Sequence, residues 1–530
     1  MRSSPPVVVV MFDRLGPYHV SRLRESARLL SIVAIETFGM DSTYAWEKAE
    51  GCDWFRRVTL FDHAGAQGIA RVGVALRVGL ALDEIRPALV AIPGWADVAA
   101  LGALRWCVRN QVPAIMMSDS TAWDAPRVGW KEWIKRQIVD LASSAFVAGR
   151  PHAEYIELLG MPEDRVFLGY DVVDNKYFAG EADKWRGRAE AQDQGSEMSD
   201  QTLSLGRDGA GLQVVANGVI CEGVESGDRA QESAMFGISG DFARGETRKS
   251  PSTITPYFLA SNRFVEKKNL YRLIEAYAEY DRCFKCSTSS VQEEDEDSRG
   301  QGRCGVNQVG RAVCKEAFQA PLPTLAGSGP ALRSCPPRTW NLCLLGDGEL
   351  KGDLMALCKR LGLNVIEAAP WEYFEIENFK LETPGKSPVV FFPGFRQYDE
   401  LPRFYAHASA FIHASTTEQW GLVVNEAMAC GLPVIVSSRC GCATELVQEG
   451  VNGFLFDPYD IGQLTSCMNH IAEPRLALES LGEASRRIIA DWDLDRFATG
   501  LQEAAAKALA VGPRRAGVPQ KLLLRVLARG

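Results

Sequence analysis

The 530-residue sequence has no long apolar run and no excess of positive charge. No uninterrupted apolar stretch approaches the roughly 18 residues of a membrane-spanning helix, so the chain is expected to be soluble or peripheral to a membrane. The 58 Lys and Arg residues face 67 Asp and Glu residues, which gives a net charge of −9. This balance provides no general attraction to nucleic acid or anionic lipid, and any phosphate binding must be local.

Two common nucleotide-binding signatures are also absent. Neither G-x-G-x-x-G nor a Walker A sequence follows the first predicted strand, Val7 to Phe12, which argues against a dehydrogenase or a P-loop enzyme. The 14 cysteines are scattered, and no signal peptide is recognisable at the N-terminus. Reduced thiols and a cytoplasmic location are therefore the expectation.

Patterns that suggest a bound metal are weak. The cysteines from Cys283 to Cys314 begin as C-x2-C, but their later spacings are loose for a zinc module. Two D-x-D pairs begin at Asp295 and Asp493. The first pair lies in an acidic run and the second follows a helix, so solvated charge is the simpler interpretation, and no metal is expected.

Short apolar runs alternate with helix-capable segments over residues 1–180. The first run is followed by a turn at Gly16 and a helical pattern. Later runs typical of buried strands are Ser31–Phe38, Ala88–Gly94, Pro113–Ser118, Ser144–Gly149 and Arg165–Tyr170. This alternation predicts an α/β domain with a parallel sheet covered on both faces.

Two stretches of biased composition interrupt this pattern. Residues 181–251 are rich in Gly, Ser, Gln, Asp and Arg, and residues 285–338 carry an acidic block at 293–297. Neither stretch has a sustained apolar period. Both are predicted to be disordered, the first as an insertion or linker and the second as an insertion within a domain.

The strand and helix pattern returns around the second stretch. The predicted strands are Tyr257–Phe264, Trp340–Leu345, Val389–Phe392, Ala410–Ala414 and Pro433–Ser437. They predict a second Rossmann-like α/β domain over residues 252–490, followed by a helical segment and tail at 491–530. A ligand held between the carboxyl ends of two opposed sheets would suit this organisation.

The segment TEQWGLVVNEAMACG, at 417–431, is the most informative. Glu418 lies in a loop after a strand, Gly421 opens a helix, and Glu426 falls on its second turn, so both carboxylates can border one pocket. The first helical amides form an anion site at the positive end of the helix dipole: those of Gly421, Leu422 and Val423. Glu426 could then accept both hydroxyls of a ribose. A solvated helix with two surface glutamates is the alternative.

Arg263 and Lys268 form a second constellation, at the end of a strand and the start of a helix. Beside the first site, two cations could neutralise a leaving diphosphate without a metal. A charged loop on a solvated face is the alternative interpretation.

Together these segments resemble the retaining glycosyltransferases of family 4, which have the two-domain GT-B fold. The family's E-x7-E motif matches Glu418 and Glu426, and its Arg/Lys phosphate pair matches Arg263 and Lys268. The segments GDGEL, FPGF, LPVIV and NGFLFDP also resemble family segments, in family order. The resemblance covers residues 255 to about 490, apart from the second biased stretch.

The resemblance implies a hexosyltransferase-type enzyme that moves a sugar from a nucleoside diphosphate sugar to an unidentified acceptor. It also implies retention at the anomeric carbon and no metal cofactor. Arg263, Lys268 and the helix amides would stabilise the leaving diphosphate, Glu426 would hold the ribose, and Glu418 would hold the donor sugar. A nonenzymatic sugar-nucleotide sensor or scaffold, or a phosphorylase-like enzyme, remains the alternative on the same fold.

The first domain resembles the family only in outline. Gly16 lies where the family has a glycine-rich loop near the donor phosphates. Many members have a His after the fourth strand, where this chain has the sequence SDST. Asp119 in that sequence could orient an acceptor hydroxyl or the sugar hydroxyls, or it could form an Asx turn or helix cap.

Two segments mix basic, aromatic and apolar residues. These are Arg127 to Arg136, RVGWKEWIKR, and Lys521 to Arg529, KLLLRVLAR. Either could rest on a membrane surface, and either could be a core-facing helix with snorkelling lysines.

Overall fold

The computed structural model describes residues 5–39, 53–61, 71–201, 255–296, 339–372, 388–474 and 476–528. Within them the chain forms two parallel sheets of seven strands each. Both sheets belong to one compact unit, made of residues 1–186 and 254–530. The predicted pair of α/β domains is therefore confirmed.

The first domain is built on a sheet in which each strand is short and largely buried. Its strands are β1 Val7–Phe12, β2 Ser31–Phe38, β3 Arg56–Phe61, β4 Leu89–Pro93, β5 Ala114–Ser118, β6 Ser144–Val147 and β7 Val166–Leu168. Its helices are α1 Pro17–Ser26, α2 Arg71–Ile85, α3 Val98–Asn110, α4 Gly129–Val139 and α5 Arg150–Leu158, with a 3-10 turn at Glu163–Arg165. Helix α6, Asn175–Gln201, follows β7.

The second domain repeats the arrangement. Its strands are β8 Tyr257–Ser261, β9 Asn341–Leu345, β10 Asn364–Ile366, β11 Val389–Gly394, β12 Ala410–His413, β13 Val434–Ser437 and β14 Gly453–Phe456. Its helices are α7 Leu270–Glu296, α8 Lys351–Arg360, α9 Leu401–His407, α10 Leu422–Ala429, α11 Ala443–Leu446, α12 Ile461–Ile471 and α13 Leu478–Ile489, with a 3-10 turn at Glu266–Lys268.

The last two helices return to the first domain. Helix α14, Leu494–Val511, packs against α1 and strands β6 and β7, and α15, Val518–Leu527, packs against α3. Phe497 and Leu501 of α14 are fully buried in the core on that face of the first sheet. The predicted C-terminal helical segment is thus an integral part of the first domain's helical layers.

Strand order places the loops that carry the predicted site residues. The first sheet runs β3-β2-β1-β4-β5-β6-β7, and the second runs β10-β11-β9-β8-β12-β13-β14. The order reverses between β1 and β4 in the first sheet and between β8 and β12 in the second. Crevices at the carboxyl ends of such neighbouring strands are the usual ligand sites of open parallel sheets.

Sequence analysis missed three strands, β3, β10 and β14, and all three lie at sheet edges. Edge strands need fewer buried apolar residues than central ones, so their apolar runs are short. Strand β3 begins with two arginines, and Arg57 is held by an ion pair of 2.7 Å to Glu36, which is fully buried in β2. The ion pair supplies a contact that the apolar pattern does not reveal.

The boundary predicted at 181 needs correction, because it falls inside a packed helix. Ala182 of α6 is fully buried. The guanidinium of Arg186 donates to the carbonyls of Ala406 at 3.1 Å and Cys430 at 2.6 Å, in the second domain. Helix α7 likewise continues past the predicted boundary at 285. Residues 202–251 and 297–338 of the predicted insertions lie outside the described residues.

Candidate active site

The loops after β8 and β12 meet at the switch point of the second sheet. The ammonium of Lys268 donates a short hydrogen bond to Oε2 of Glu418. The ammonium of Lys267 lies 3.9 Å from Oε1 of the same carboxylate. The backbone amide of Thr416 donates to the carbonyl of Lys267 at 2.9 Å, which ties the two loops together. One carboxylate is therefore held between two cations.

His413 and Ser415 both contact the carboxylate of Glu418. His413 ends β12 and is fully buried, with Nε2 3.4 Å from Oε2 of Glu418. The Ser415 hydroxyl donates to the same oxygen at 3.2 Å. Burial lowers the pKa of His413, so the ring is neutral and donates through Nε2–H. Although burial opposes it, the bond from His413 and the charge of Lys268 hold the pKa of Glu418 far below its usual range. Glu418 is thus ionised.

Arg263 lies in the same loop as Lys268, two residues after the end of β8, and is exposed. This loop is fixed by Asn269, whose backbone is left-handed with φ 59°. The Asn269 amide group donates to the carbonyls of Ala414 at 3.0 Å and Pro458 at 2.7 Å. The structure thus brings Lys268 to Glu418 and leaves Arg263 at the surface of the same loop.

Helix α10 begins beside this cluster, one residue later than predicted. Gly421 is its N-cap and has φ 105°, a conformation that L side chains rarely adopt. A Cβ atom there would lie 3.6 Å from Nε2 of His413 and 3.7 Å from Cγ of Glu418, so backbone angle rather than space requires glycine. The first helical amides, at Leu422 and Val423, have no partners within the helix, and both residues are half-buried.

Glu426 has quite different surroundings. It is fully buried, and its two oxygens accept hydrogen bonds from Tyr18 at 2.5 Å and Tyr405 at 2.7 Å. Burial raises the pKa of Glu426 to about 7, although both tyrosine hydrogen bonds act in the opposite direction. Tyr18 lies on α1 of the first domain, so this carboxylate joins the two domains. Because Glu426 is fully buried, a ribose hydroxyl could reach it only if Tyr18 or Tyr405 moves aside.

The first domain contributes two carboxylates. Asp119 follows β5 and accepts a hydrogen bond of 3.2 Å from the side chain of Gln419. Asp171 lies three residues after β7, is buried, and pairs with Arg22 at 3.3 Å. Burial raises the pKa of both groups, and the charge of Asp171 raises that of Asp119 further. Helix α4 has Val128 as its N-cap, so Asp119 does not cap it.

Gln419 connects these carboxylates with Glu418. Its carbonyl oxygen lies 2.8 Å from Nε2 of His152, on α5 of the first domain. Because Nδ1 of His152 accepts from the Gly149 amide at 3.2 Å, Nε2 carries the proton and donates to Gln419. The residue after Glu418 is thus fixed to the first domain through both its backbone and its side chain. Glu418 and Asp119 consequently border the same interface.

Gly16 caps α1 and donates its amide to Nδ1 of His19 at 3.1 Å. The His19 ring lies against Phe12, with centroids 4.3 Å apart. Burial, with a smaller contribution from Arg22, lowers the pKa of His19 to about 3. The Gly16 amide therefore already donates a hydrogen bond within the first turn of its own helix.

Metal-like patterns gain no support in the described part of the chain. Asp493 is the N-cap of α14 and accepts from the Arg496 amide at 3.0 Å. Among the described residues, no group of three or more His, Cys, Asp or Glu side chains could hold a metal ion. Most of the segment from Cys283 to Cys314, and Asp297 with it, lies outside the residues whose side chains are described. Within the described ranges, no helix is long and apolar enough to cross a bilayer.

Sequence reasoning did not single out most of the residues that contact these carboxylates, among them Tyr18, Asp171, Tyr405, His413 and Ser415. Asp171 follows a predicted strand just as Asp119 does, so the same positional rule would have found it. His413 and Ser415 flank the end of β12, where the sequence HASTTE already places polar groups. The tyrosines gave no local signal, because each reaches Glu426 from another helix, Tyr18 across 408 residues and Tyr405 across 21.

Comparison with known proteins identifies the segment around Glu418 and Glu426. Residues 373–488 match the family Glycosyl transferases group 1. Over 109 residues the chain is 38% identical to sulfoquinovosyl transferase SQD2 of Arabidopsis thaliana, covering 20% of this chain and 21% of that protein. Over 143 residues it is 32% identical to the D-inositol 3-phosphate glycosyltransferase of Acidothermus cellulolyticus, covering 27% of this chain and 31% of that protein. The chain thus matches less than a third of either relative's length.

Solved structures resemble nearly the whole chain. HepE (Alr3699) of Anabaena, in complex with UDP, superimposes with a TM-score of 0.53 at 14% identity, over 94% of this chain and 99% of that one. Sucrose-phosphate synthase of Thermosynechococcus elongatus gives 0.53 at 14% identity, over 95% and 99%. At such identities the likeness concerns the fold alone. This chain therefore has the GT-B fold of glycosyltransferases and carries a glycosyl transferases group 1 segment at residues 373–488.

Proposed function

We propose that this protein is a retaining, metal-independent glycosyltransferase that moves a sugar from a nucleoside diphosphate donor to a separate acceptor. The observation that carries the proposal is the Lys268–Glu418–His413 cluster at the switch point of the second sheet. It lies at the start of α10, within the group 1 segment apart from Lys268. Fold neighbours solved with UDP and with UDP-glucose support a nucleotide sugar as the donor.

The second domain would stabilise the leaving diphosphate. Lys268 and the exposed Arg263 supply positive charge on one loop, and the first amides of α10 supply hydrogen-bond donors on the adjacent loop. Such donors stabilise charge as it develops on a leaving group, because they are fixed in place before the reaction. Glu418 accepts a hydrogen bond from the Lys268 ammonium. A diphosphate would share that ammonium and leave Glu418 available for the sugar hydroxyls.

Glu426 would bind the donor ribose. Its carboxylate already accepts two hydroxyl hydrogen bonds, the number that a ribose 2′,3′-diol can donate. Tyr18 comes from the first domain and Tyr405 from the second. Separation of the two domains would therefore break the hydrogen bond from Tyr18 and keep the one from Tyr405.

Retention can proceed without a protein base. The bond between the anomeric carbon and the phosphate oxygen breaks, the acceptor oxygen bonds to the same face of that carbon, and the acceptor proton passes to the departing phosphate oxygen. Asp119 would orient the acceptor hydroxyl or the sugar hydroxyls from the first domain. Because its pKa is raised by burial and by Asp171, it is a hydrogen-bonding group whose protonation is sensitive to occupancy of the site.

The test is a donor screen followed by turnover. Saturation-transfer NMR against a panel of nucleotide sugars, beginning with UDP-glucose, should find a donor whose signal is lost in Glu426→Ala. Turnover of that donor should persist in EDTA and give a product with the donor's anomeric configuration. An inverted product, or activity abolished by EDTA and restored by manganese, would contradict the mechanism. Binding without turnover across an acceptor panel would instead support a sugar-nucleotide sensor.

A further inference from the structure

Three helices on the outer layer of the first domain expose apolar stripes. Helices α2, α4 and α15 each bury one face in the same core cluster, which includes Val78, Ile138 and Leu524. Helices α2 and α15 both pack on α3. The Gln520 amide at the start of α15 donates to the Asp140 carboxylate just after α4, at 2.9 Å. We call the outward faces of these three helices together the outer face.

Helix α2 exposes apolar residues at a regular spacing of four. Val72, Leu76 and Leu80 are between 50% and 62% exposed. Val74 and Val78 of the same helix are buried, so the helix is apolar on both its inner and its outer side. A helix of this kind usually has its outer side covered by something.

Helix α15 shows the same spacing at the other end of the chain. Val518, Leu522 and Val526 are between 58% and 81% exposed. Lys521 and Arg525 are exposed beside them, one residue earlier in each turn. After residue 503 the sequence contains no Asp or Glu. A basic stripe therefore lies beside the apolar stripe of this helix, because successive residues are about 100° apart around the helix axis.

Helix α4 adds two tryptophans. Trp130 is 63% exposed and Trp133 is 52% exposed. Lys131 and Arg136 are exposed on the same helix, and the Lys131 ammonium lies 5.6 Å from the centre of the Trp130 ring. Tryptophan and basic residues with long stems are the side chains that favour the boundary between lipid head groups and acyl chains.

We propose that the outer face binds the surface of an anionic lipid bilayer. On α4 and α15, in a chain whose net charge is −9, apolar side chains flanked by exposed basic residues are complementary to acyl chains beneath negative head groups; the apolar stripe of α2 ends at the exposed Glu84. Two-fold pairing of this face with a second copy would place Lys and Arg residues near one another, which disfavours self-association. The two sequence segments that suggested membrane contact are neighbours here, joined by the hydrogen bond from Gln520 to Asp140.

The outer face reaches the edge of the candidate site. Residues 119–128 lead from the end of β5 to the start of α4. Trp130 therefore lies at the same edge of the first sheet as Asp119. A bilayer bound to the outer face would run beside the acceptor side of the site, although membrane binding itself does not depend on the transfer reaction.

Vesicle flotation with the full-length protein tests the proposal. We expect binding to phosphatidylcholine vesicles that contain about one third phosphatidylglycerol, weaker binding to phosphatidylcholine alone, and loss of binding at high salt. The double variants Trp130→Gln/Trp133→Gln and Leu522→Gln/Val526→Gln should each weaken partitioning by about tenfold or more, because they remove apolar area from the bilayer.

The charge variant and the control variant complete the experiment. Lys521→Gln/Arg525→Gln should weaken binding by about fivefold per charge, and only on anionic vesicles. Leu29→Gln/Val451→Gln removes two apolar side chains that are each 46% exposed outside the outer face, and it should bind as the wild type does. Absence of vesicle binding, equal loss in this control, or a wild-type dimer that the tryptophan variant converts to a monomer would overturn the proposal.

Discussion

The two domains bring opposite electrostatics to the interface between them. In the second domain, the Glu418 carboxylate is matched by Lys268 and Lys267, and its pKa is held far below the usual range. In the first domain, Asp119 and Asp171 lie near the guanidinium of Arg22, and burial raises the pKa of each. The Glu418 carboxylate thus has two ammonium groups beside it, whereas Asp119 and Asp171 are two carboxylates near the one Arg22 guanidinium.

This difference in charge indicates which group of a ligand each domain can bind. A balanced ion cluster can trade its carboxylate for a phosphate, because the cations keep a partner throughout. Two neighbouring carboxylates that are partly or fully buried are stabilised when one of them accepts a hydroxyl hydrogen bond or a proton. The donor would thus suit the second domain and the acceptor the first. Glu426 is buried and accepts one hydrogen bond from each domain.

The largest expected effect comes from removing the cation that balances Glu418. Lys268→Ala should lower turnover by about 10² to 10³, since a fixed donor to the leaving group would be lost. Lys267→Ala is the matched control, because its ammonium is 3.9 Å from the same carboxylate and half-exposed. That variant should lose at most a few-fold in activity. Steady-state kinetics measure both, and equal losses would contradict a special role for Lys268.

The next largest effect should arise from the unbalanced carboxylates. Asp119→Asn should lower the rate by roughly a hundredfold, within the range for a positioned acid or base, while donor affinity stays unchanged. Asp171→Asn should retain more activity, and because it removes the charge that raises the pKa of Asp119, the pH–rate profile should move to lower pH. An unchanged profile in Asp171→Asn, or normal turnover in Asp119→Asn, would contradict the coupling.

Glu426 should affect binding rather than chemistry. Glu426→Gln replaces one charged acceptor oxygen with an amide, and donor affinity should fall by about tenfold, as expected for the loss of one charge-assisted hydrogen bond. Calorimetry with the donor found by the screen measures the change, and the thermal midpoint shows whether the fold is intact. Unchanged affinity in a folded variant would remove Glu426 from the donor site.

The sequence indicated candidate residues where chemistry and position share one short segment. Glu418, Gly421 and Glu426 occupy nine residues, and Arg263 with Lys268 occupies six. The structure brings Lys268 to Glu418, whereas Glu426 has other partners and Arg263 lies exposed on its loop. The central strands could also be predicted from the sequence, because a buried parallel strand is a continuous apolar run.

Long-range partners were beyond this reasoning. Tyr18 reaches Glu426 from 408 residues away, and Gln419 reaches Asp119 from 300 residues away. No local pattern encodes such a contact, since it depends on how two complete sheets pack together. The opposite protonation tendencies of Glu418 and Glu426 could not be predicted either, because they arise from burial and from those partners rather than from spacing.

The smallest expected effect is the most direct test of the Tyr18–Glu426 hydrogen bond, one of the contacts between the two domains. Because the pKa of Glu426 is raised to about 7, its carboxylate forms only as pH rises through neutrality, so wild-type donor affinity should increase over that range. The Tyr18 hydrogen bond favours the ionised form. Tyr18→Phe should therefore shift the increase to higher pH, by less than about one unit. In Glu426→Gln the pH dependence should vanish.

Tyr18→Phe should have a second consequence at high pH, where Glu426 is ionised in both proteins. The variant no longer has to exchange the Tyr18 hydroxyl for a ribose hydroxyl, so its donor affinity should exceed that of the wild type by a few-fold. Tyr405→Phe removes the other bond to Glu426 without touching the interface between domains. If domain separation accompanies donor binding, only Tyr18→Phe should also speed donor association in stopped-flow measurements. Equal association rates in the two variants would mean that the donor enters without breaking the contact between domains.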